Sequence, residues 1–534
     1  MENENNSLRS EPTMVTRDET TVPPHEESTL ADVKQLGFWA ALASLGYVFW
    51  VVGGMEMVER LAYYGVRAVA TLYATRPAST GGLGVTMATF GTLLLFWNLT
   101  QSLIPIFTGG LSDRYGYKQT IFASTVIKCF GYLLMAWWPT YWGFFTGAMF
   151  LALGTAVFKP GIQGTLIRTT NRRNSSMAWG VFYQTVNIGG WIGPLIALQM
   201  RTMAWKYVFY TNAAFICLNF LLLLTYREPG KEERLARQQR VRDGHEKQRN
   251  LALEAMGELK KPHLSLYLLI FSVWWLMFPM LWDVLPKYVE DWVNTKPMVN
   301  FLFGENAHPG ALCKFLLGMD DSGATIQPEG IVNINAGMIM LTCFLYAGLS
   351  AKMRATTSML VGTILVIISL TMFGASNHIA FAVLAMVIFS SGEMLASPKF
   401  SEYLGNIAPA DKKAMWIGFS QAPILIGWTI EGKLGPWLYN IFSSKDEFAR
   451  QLLVERGYSA ALVTKEALPN GEAFAKLVSY TGENPDKLTQ LLHQTHHVGV
   501  TWYIFAVIAV ASAVMIWLYG RWTLKLTRQH APRA

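Results

Sequence analysis

Residues 56–67 read Glu-Met-Val-Glu-Arg-Leu-Ala-Tyr-Tyr-Gly-Val-Arg. They fall inside an apolar run at 38–74, and a bilayer crossing needs only about 20 such residues. On a helix turning about 100° per residue, Glu59 lies near 300° from Glu56, Arg60 near 40°, Tyr63 near 340° and Arg67 near 20°. Two carboxylates, two guanidinium groups and a phenol therefore share one stripe about 100° wide. Each charge at mid-bilayer costs about 2.5–3.5 kcal/mol, so four facing lipid would cost on the order of 10 kcal/mol. The stripe must face a protein interior or a water-filled cavity. Arg60 can reach Glu56 one turn back. A purely structural charge cluster is the poorer reading, because buried pairs stabilise weakly.

Outward from this stretch, the rest of the chain has the same character. Of 534 residues, 52% are hydrophobic and only 15% are charged; ordinary soluble domains carry about 25% charged residues. The mean hydropathy is +0.26. Apolar runs recur near 38–74, 84–108, 118–138, 141–165, 176–200, 205–226, 264–292, 331–350, 355–374, 377–403, 413–440 and 498–520. The pattern predicts an all-α membrane protein with twelve transmembrane helices. The formal net charge of +8 comes from short loops between these runs, which argues against nucleic-acid binding.

Lys and Arg cluster after the even-numbered runs: Arg114 and Lys118, then Arg168, Arg172 and Arg173, then 227–261, then Lys352 and Arg354, then Lys412 and Lys413, then Arg521, Lys525 and Arg528. The bias places both termini in the cytoplasm of a multi-pass protein of the plasma (inner) membrane. A polar tail at 1–34 reads as disordered. The expected organisation is an N-terminal six-helix half at 35–226, a charged linker at 227–263, a C-terminal half at 264–520 and a basic tail at 521–534. Insertions at 293–330 and 441–497 fall outside. The second has amphipathic spacing and reads as a small helical cap. His493, His496 and His497 lack carboxylate or cysteine partners at metal spacing, so a solvated helix end is the better reading. No metal, cofactor, nucleophile–base arrangement or phosphate loop is called for, so an enzyme is not expected. Cys129, Cys217 and Cys343 sit in apolar runs and Cys313 in a polar loop, with no pairing suggested.

Several motifs resemble those of the proton-coupled oligopeptide transporters within the major facilitator superfamily. Glu56-x-x-Glu59-Arg60 followed by Tyr63-Tyr64-Gly65 resembles their first-span signature. Gly109, Asp113, Arg114, Gly116 and Lys118 resemble the superfamily's loop motif after the second span. Phe158-Lys159-Pro160 resembles their fourth-span FKPN, with Gly161 in place of the asparagine. Phe182-Tyr183 through Asn187, Gly189 and Gly193-Pro194 resembles a fifth-span motif. Glu393 followed by Ser397-Pro398 resembles the tenth-span glutamate, and Asn335 a further family asparagine. The segment around Asp283 departs from the family pattern, and the two extra helices that many bacterial members carry between the halves are not present in the sequence.

The resemblance implies two six-helix halves that alternate access for a small peptide substrate and protons. It implies that Arg67 and Lys159 bind the peptide carboxylate, that Asn187, Asn335 and Glu393 hold the amino end, and that Tyr63 and Tyr64 line the same site. Chemistry agrees, since a zwitterion needs a cation at one end and an acid at the other. Glu56, Glu59 and Arg60 fit proton coupling, because protonating one carboxylate releases Arg60. Asp283 is expected opposite Lys159, by analogy with a seventh-span acid of the family; pairing with Lys287 one turn away is the local alternative. Lys128, mid-run in the third span, has no assigned role, and snorkelling and pairing are equal readings. Glu431 and Lys433 read either as a gate pair or as groups facing outer water. The leading expectation is a monomeric symporter importing di- and tripeptides. The alternatives are transport of another zwitterion or organic anion, or a non-transporting receptor or scaffold.

Overall fold

The structure is a computed structural model that describes residues 38–171, 174–243, 256–305, 308–409, 416 and 418–530. The expected tail at 1–34 lies outside the described residues, as do Arg172, Arg173, Lys412, Lys413 and the side chains of Asp113, Arg114 and Arg528, with Gly109 beside them.

Each apolar run is helical. The long elements are α1 (Tyr47–Thr75), α2 (Met87–Tyr115), α3 (Tyr117–Trp137), α4 (Tyr141–Arg168), α5 (Ser175–Met203) and α6 (Trp205–Leu224). After them come α7, α8 (Pro328–Ala351), α9 (Ala355–Ala375), α10 (Ile379–Ile407), α11 (Gln421–Phe442) and α12 (Val500–His530). Among the described residues, nine helical segments are long and apolar enough to cross a membrane. The helices that fall short are α1, α5 and α11, which carry Glu56, Asn187 and Glu431. Polar groups lower their hydropathy because these helices face the bundle interior. Large apolar side chains such as Leu224, Leu341, Leu345 and Val507 remain exposed, as a lipid-facing surface requires.

Local chemistry sets the helix ends. Thr86 and Thr140 accept from the backbone N–H groups of Thr89 and Gly143. Gly116, at φ 110°, turns α2 into α3 in a conformation that a side chain would strain. α7 is broken into Pro262–Trp275, Met280–Asp283 and Leu285–Trp292, with Pro279 and Pro286 at the interruptions. Proline cannot donate to the helix ladder, so carbonyls are released there.

The packing repeats itself. α1 packs on α5 and α6, α2 on α4, and α3 on α4 and α6. Six helices later, α7 packs on α11 and α12, α8 on α10, and α9 on α10 and α12. The contacts between the two sets are led by α2 with α11 and α5 with α8, which are also equivalent under the same offset. Even the close approaches recur. Gly131 and Gly147 face each other between α3 and α4, where a Cβ on either would meet the other's carbonyl oxygen at 2.8 or 2.7 Å. Gly362 and Gly392 do the same between α9 and α10, at 2.5 Å. This is the fold of the expected class, an all-α bundle of two pseudo-repeated six-helix sets.

Both insertions are largely helical. Helices Lys296–Phe303 and Ala311–Leu317 lie between α7 and α8. Helices Lys445–Glu455, Ala473–Thr481 and Pro485–Thr495 form the cap, burying Phe448, Leu453, Leu477, Leu488 and Leu492. His496 stacks on Phe448 at 3.9 Å and His493 packs against Trp292.

Replacing Gly362 with Val drives a side chain into the α10 backbone. The expected loss is about 1–3 kcal/mol or more from overpacking, read as a lower thermal unfolding midpoint of purified protein. Unchanged unfolding would refute the close approach.

Candidate functional site

The charged stripe of α1 faces inward. Glu56, Glu59, Arg60 and Arg67 are all buried. Arg60 lies 3.3 Å from Glu56 one turn back and donates from Nε to Glu59 at 2.5 Å. Glu59 is completely buried and has a second partner that local spacing does not reveal: Lys128 Nζ of α3 donates to its Oε1 at 2.7 Å. Thr155 of α4 donates to the same oxygen at 3.4 Å. Lys128 also sits 3.9 Å from the centre of the Phe158 ring. Lys159 neighbours Glu56, Arg60 and Glu59 and makes no ion pair among the described residues. Gly189 and Gly193 of α5 lie against the α1 backbone at Met57 and Leu61, where any side chain would collide. They let α5 press on the stripe and hold it against α3 and α4.

About two turns further along α1 lies a second cluster, and it corrects an expectation. Asp283 is paired with Arg67, at 2.7 Å between Oδ1 and Nη2, and not with Lys159 or Lys287. Lys287 instead holds Glu290 and Asp291, each at 2.9 Å. The break in α7 explains the geometry. The carbonyls of Trp282 and Asp283 accept from the Thr71 hydroxyl at 3.2 and 3.1 Å, which fixes the short Met280–Asp283 turn against α1. Arg67 also lies over the Trp97 ring at 5.2 Å. Arg67 is thus already neutralised in this conformation, and Tyr63 packs edge-on to Trp97 beside it. Glu431 of α11 is neither exposed nor paired with Lys433. It is completely buried, and neither of its side-chain oxygens has a hydrogen-bond partner among the described residues. Lys433 turns to α2, donating to Thr92 at 2.7 Å and to the Ala88 carbonyl at 3.1 Å.

A third cluster bridges the two helix sets. Glu393 of α10 is buried and accepts from Asn335 Nδ2 at 2.8 Å. Asn335 also donates to Ser390 at 3.1 Å. A cavity of about 40 Å³ beside Glu393 is lined by Tyr183 of α5 and by Cys343, Met394 and Ser397. Tyr64 neighbours Glu393 and packs on Trp282 at 5.1 Å. Asn187 donates to the Tyr183 carbonyl at 2.8 Å. Glu393, Asn335, Tyr64 and Asn187 therefore gather around one inter-set region, while Arg67 does not join Lys159.

The ion pairs between the two sets lie toward one end. Besides Arg67–Asp283, Arg76 holds Glu290 at 2.6 Å, and Arg201 holds Glu329 at 2.5 Å and Gln327 at 3.1 Å. At the opposite end, pairs such as Arg168–Glu233, Arg234–Glu228 and Lys399–Glu402 stay within one set or its linker. Lys118 of the loop motif donates to the Tyr226 carbonyl at 2.8 Å. Among the described residues no ion pair joins the sets there. Cys129 and Cys217, which no spacing paired, meet as free thiols 3.5 Å apart across α3 and α6.

The sequence profile of the Major Facilitator Superfamily matches residues 61–292. The chain is 28% identical over 200 residues to the uncharacterized transporter YclF of Bacillus subtilis (strain 168), covering 37% of this chain and 39% of that protein. It is 28% identical over 162 residues to the peptide transporter YePEPT of Yersinia enterocolitica, covering 29% and 31%. The alignments thus span well under half of those relatives. The crystal structure of a peptide transporter POT in complex with sulfate superposes with a TM-score of 0.60 at 16% identity, covering 92% of this chain and 98% of that one. A POT family transporter in complex with 5-aminolevulinic acid gives 0.60 at 16% identity, covering 86% and 100%. Over residues 61–292 the chain is thus similar to the Major Facilitator Superfamily, and its fold is that of the solved POT family transporters.

Lys128→Met leaves Glu59 with a single cation in a dry interior. Breaking a buried pair costs about 3–5 kcal/mol, so the unfolding midpoint should fall clearly. Adding Glu59→Gln should recover part of the loss. Additive losses in the double variant would mean that the two groups do not interact.

Proposed function

We propose that this protein is a symporter that imports di- and tripeptides together with protons by alternating access. The observation that carries the reading is the buried Glu393–Asn335 pair beside a cavity that Tyr183 closes from the other helix set. An acid there attracts the ammonium end of a ligand, and a ligand held between the sets responds to their rocking. The cavity has room for an ammonium-sized group. Lys159, and Arg67 once released from Asp283, supply cations for the carboxylate. Asn187 offers amide donors and acceptors to the peptide backbone. Glu56, Glu59 and Arg60 form the coupling group, and Lys128 joins them as the second cation on Glu59. Protonation of Glu59 would loosen both cations at once, which converts a proton into a rearrangement of α1 against α3.

Orientation follows from the basic loops. With those loops in the cytoplasm, the end that carries Arg76–Glu290 and Arg201–Glu329 would face outward. The N-terminal and C-terminal six-helix halves, joined by the charged linker at 227–263, would be the rocking bodies. A second reading, transport of another small zwitterion, is favoured by Gly161, which stands where the family's FKPN motif has asparagine.

The test is uptake of labelled dialanine into liposomes holding the purified protein, with and without an inward proton gradient. Accumulation above equilibrium that collapses with a protonophore is expected. Glu59→Gln should lose gradient-driven accumulation but keep peptide exchange. Glu393→Gln should weaken apparent peptide affinity about tenfold or more, the size expected for losing a charge-assisted hydrogen bond. Failure of the folded protein to take up any dipeptide would remove the peptide assignment, and competition with other zwitterions would then identify the ligand.

A further inference from the structure

The cap is inserted in the second helix set, yet it reaches the first. Its root is clamped to α7 and α12. Trp292 Nε1, at the end of α7, donates to the Ser443 carbonyl at 2.8 Å, and the Ser443 hydroxyl donates to the Val498 carbonyl at 2.7 Å. Phe448 of the first cap helix and His493 of the last both pack on Trp292. A root of this kind makes the cap move with the second set. The far loop of the cap is as firmly built. Arg450, buried, donates to the carbonyls of Val463 and Pro469 at 2.7 and 3.0 Å and to Asp446 at 3.0 Å. Asp446 also accepts from the Ala473 backbone N–H at 2.9 Å. One guanidinium and one carboxylate thus fix the tip, Pro469-Asn470-Gly471-Glu472.

That tip rests on the loop between α1 and α2, which belongs to the other set. The Glu472 carboxylate accepts from the Ser79 hydroxyl at 2.8 Å. Gly471, at φ 87°, lies so close to Pro77 that a Cβ would stand 3.0 Å from its ring carbons. The loop itself is tied to α1: the N–H groups of Leu83, Gly84 and Val85 donate to the carbonyls of Tyr73, Arg76 and Ala74. It begins beside Arg76, whose guanidinium pairs with Glu290 of α7. Two rigid pieces, one from each set, therefore meet next to an ion pair that also joins the sets. We propose that the cap tip is a latch between the two helix sets, with 469–472 seated on 77–84 while the sets are together at this end and lifted off when they part. The seat is built for release. A single exposed hydrogen bond contributes little net stability. The contact of Gly471 with Pro77 is short-ranged, so a small rotation of one set ends it. The parting of the sets rests on the transport reading above; the seating of the tip does not.

The experiment is hydrogen–deuterium exchange of the full-length protein in liposomes, without substrate, read by mass spectrometry. Gly471→Val puts a branched side chain against Pro77 and should unseat the tip. Exchange at 72–76 and 285–292, the segments that Arg76–Glu290 joins, should then rise several-fold although neither is mutated. A rise confined to the cap, or no rise, would overturn the latch. The reverse test is Ser79→Cys with Glu472→Cys, carrying Cys313→Ser to remove an exposed thiol, joined by a short bifunctional thiosulfonate. The bridge should form in high yield and lower exchange in both segments below that of the unbridged protein, and a reductant should restore it. Failure of the bridge to form would overturn the seating, and a bridge without effect on exchange would overturn the latch; this pair also serves where Gly471→Val does not fold. The bridged protein should stop taking up dialanine and resume after reduction. If the unmodified protein takes up none, the peptide assignment fails while the exchange results still decide the latch.

Discussion

A charge inside a bilayer has no water to fall back on, and this structure is organised around that constraint. α1 carries Glu56, Glu59, Arg60 and Arg67, with Arg76 capping its end, and each meets a partner on α1 itself or on a distant helix. The pairings run to α3 at Lys128, to α7 at Asp283 and to the end of α7 at Glu290. Replacing such pairs by apolar residues would often cost nothing or stabilise the fold. On the proposed transport reading they serve movement, in which partners change while every state stays compensated.

The repeated packing gives that movement its bodies. Pairs that agree under an offset of six helices, including the facing glycines Gly131–Gly147 and Gly362–Gly392, make each set a dense unit with its own backbone contacts. Contacts between the sets differ in kind. They are led by α2 with α11 and α5 with α8, and they are reinforced at one end by guanidinium–carboxylate pairs. Ion pairs can exchange partners or be released by protonation, whereas interlocked backbones cannot. The rigid part and the switchable part of the molecule are thus made from different interactions.

The broken α7 joins the two. Pro279 and Pro286 interrupt its hydrogen-bond ladder, and the carbonyls exposed at Trp282 and Asp283 are taken up by Thr71 of α1. That attachment brings the Asp283 carboxyl to Arg67. An unbroken helix would satisfy its own carbonyls and lose the anchor. Irregular backbone at membrane depth is tolerated where it is buried in protein, and ion and substrate sites gather there.

What was legible in the sequence was whatever depends on near neighbours along the chain. Hydropathy period located the helices, and the 100° rotation per residue put Glu56, Glu59, Arg60 and Arg67 on one face. One-turn spacing anticipated the Glu56–Arg60 contact, and the amphipathic runs after α11 anticipated the cap. The motifs of α1, α4, α5 and α10 carried the relationship to peptide transporters. Partner choice was not legible. Lys128 lies 69 positions from Glu59, Arg67 lies 216 from Asp283, and their meeting depends on the rotation and depth of separate helices. Glu431 and Lys433 sit two residues apart, so a helix turns them roughly 200° from each other; only the packing of α11 between α2 and α7 decided that the acid is buried and the lysine faces α2. Periodicity states which way a side chain points from its own helix. What it then meets is set by the neighbouring helices.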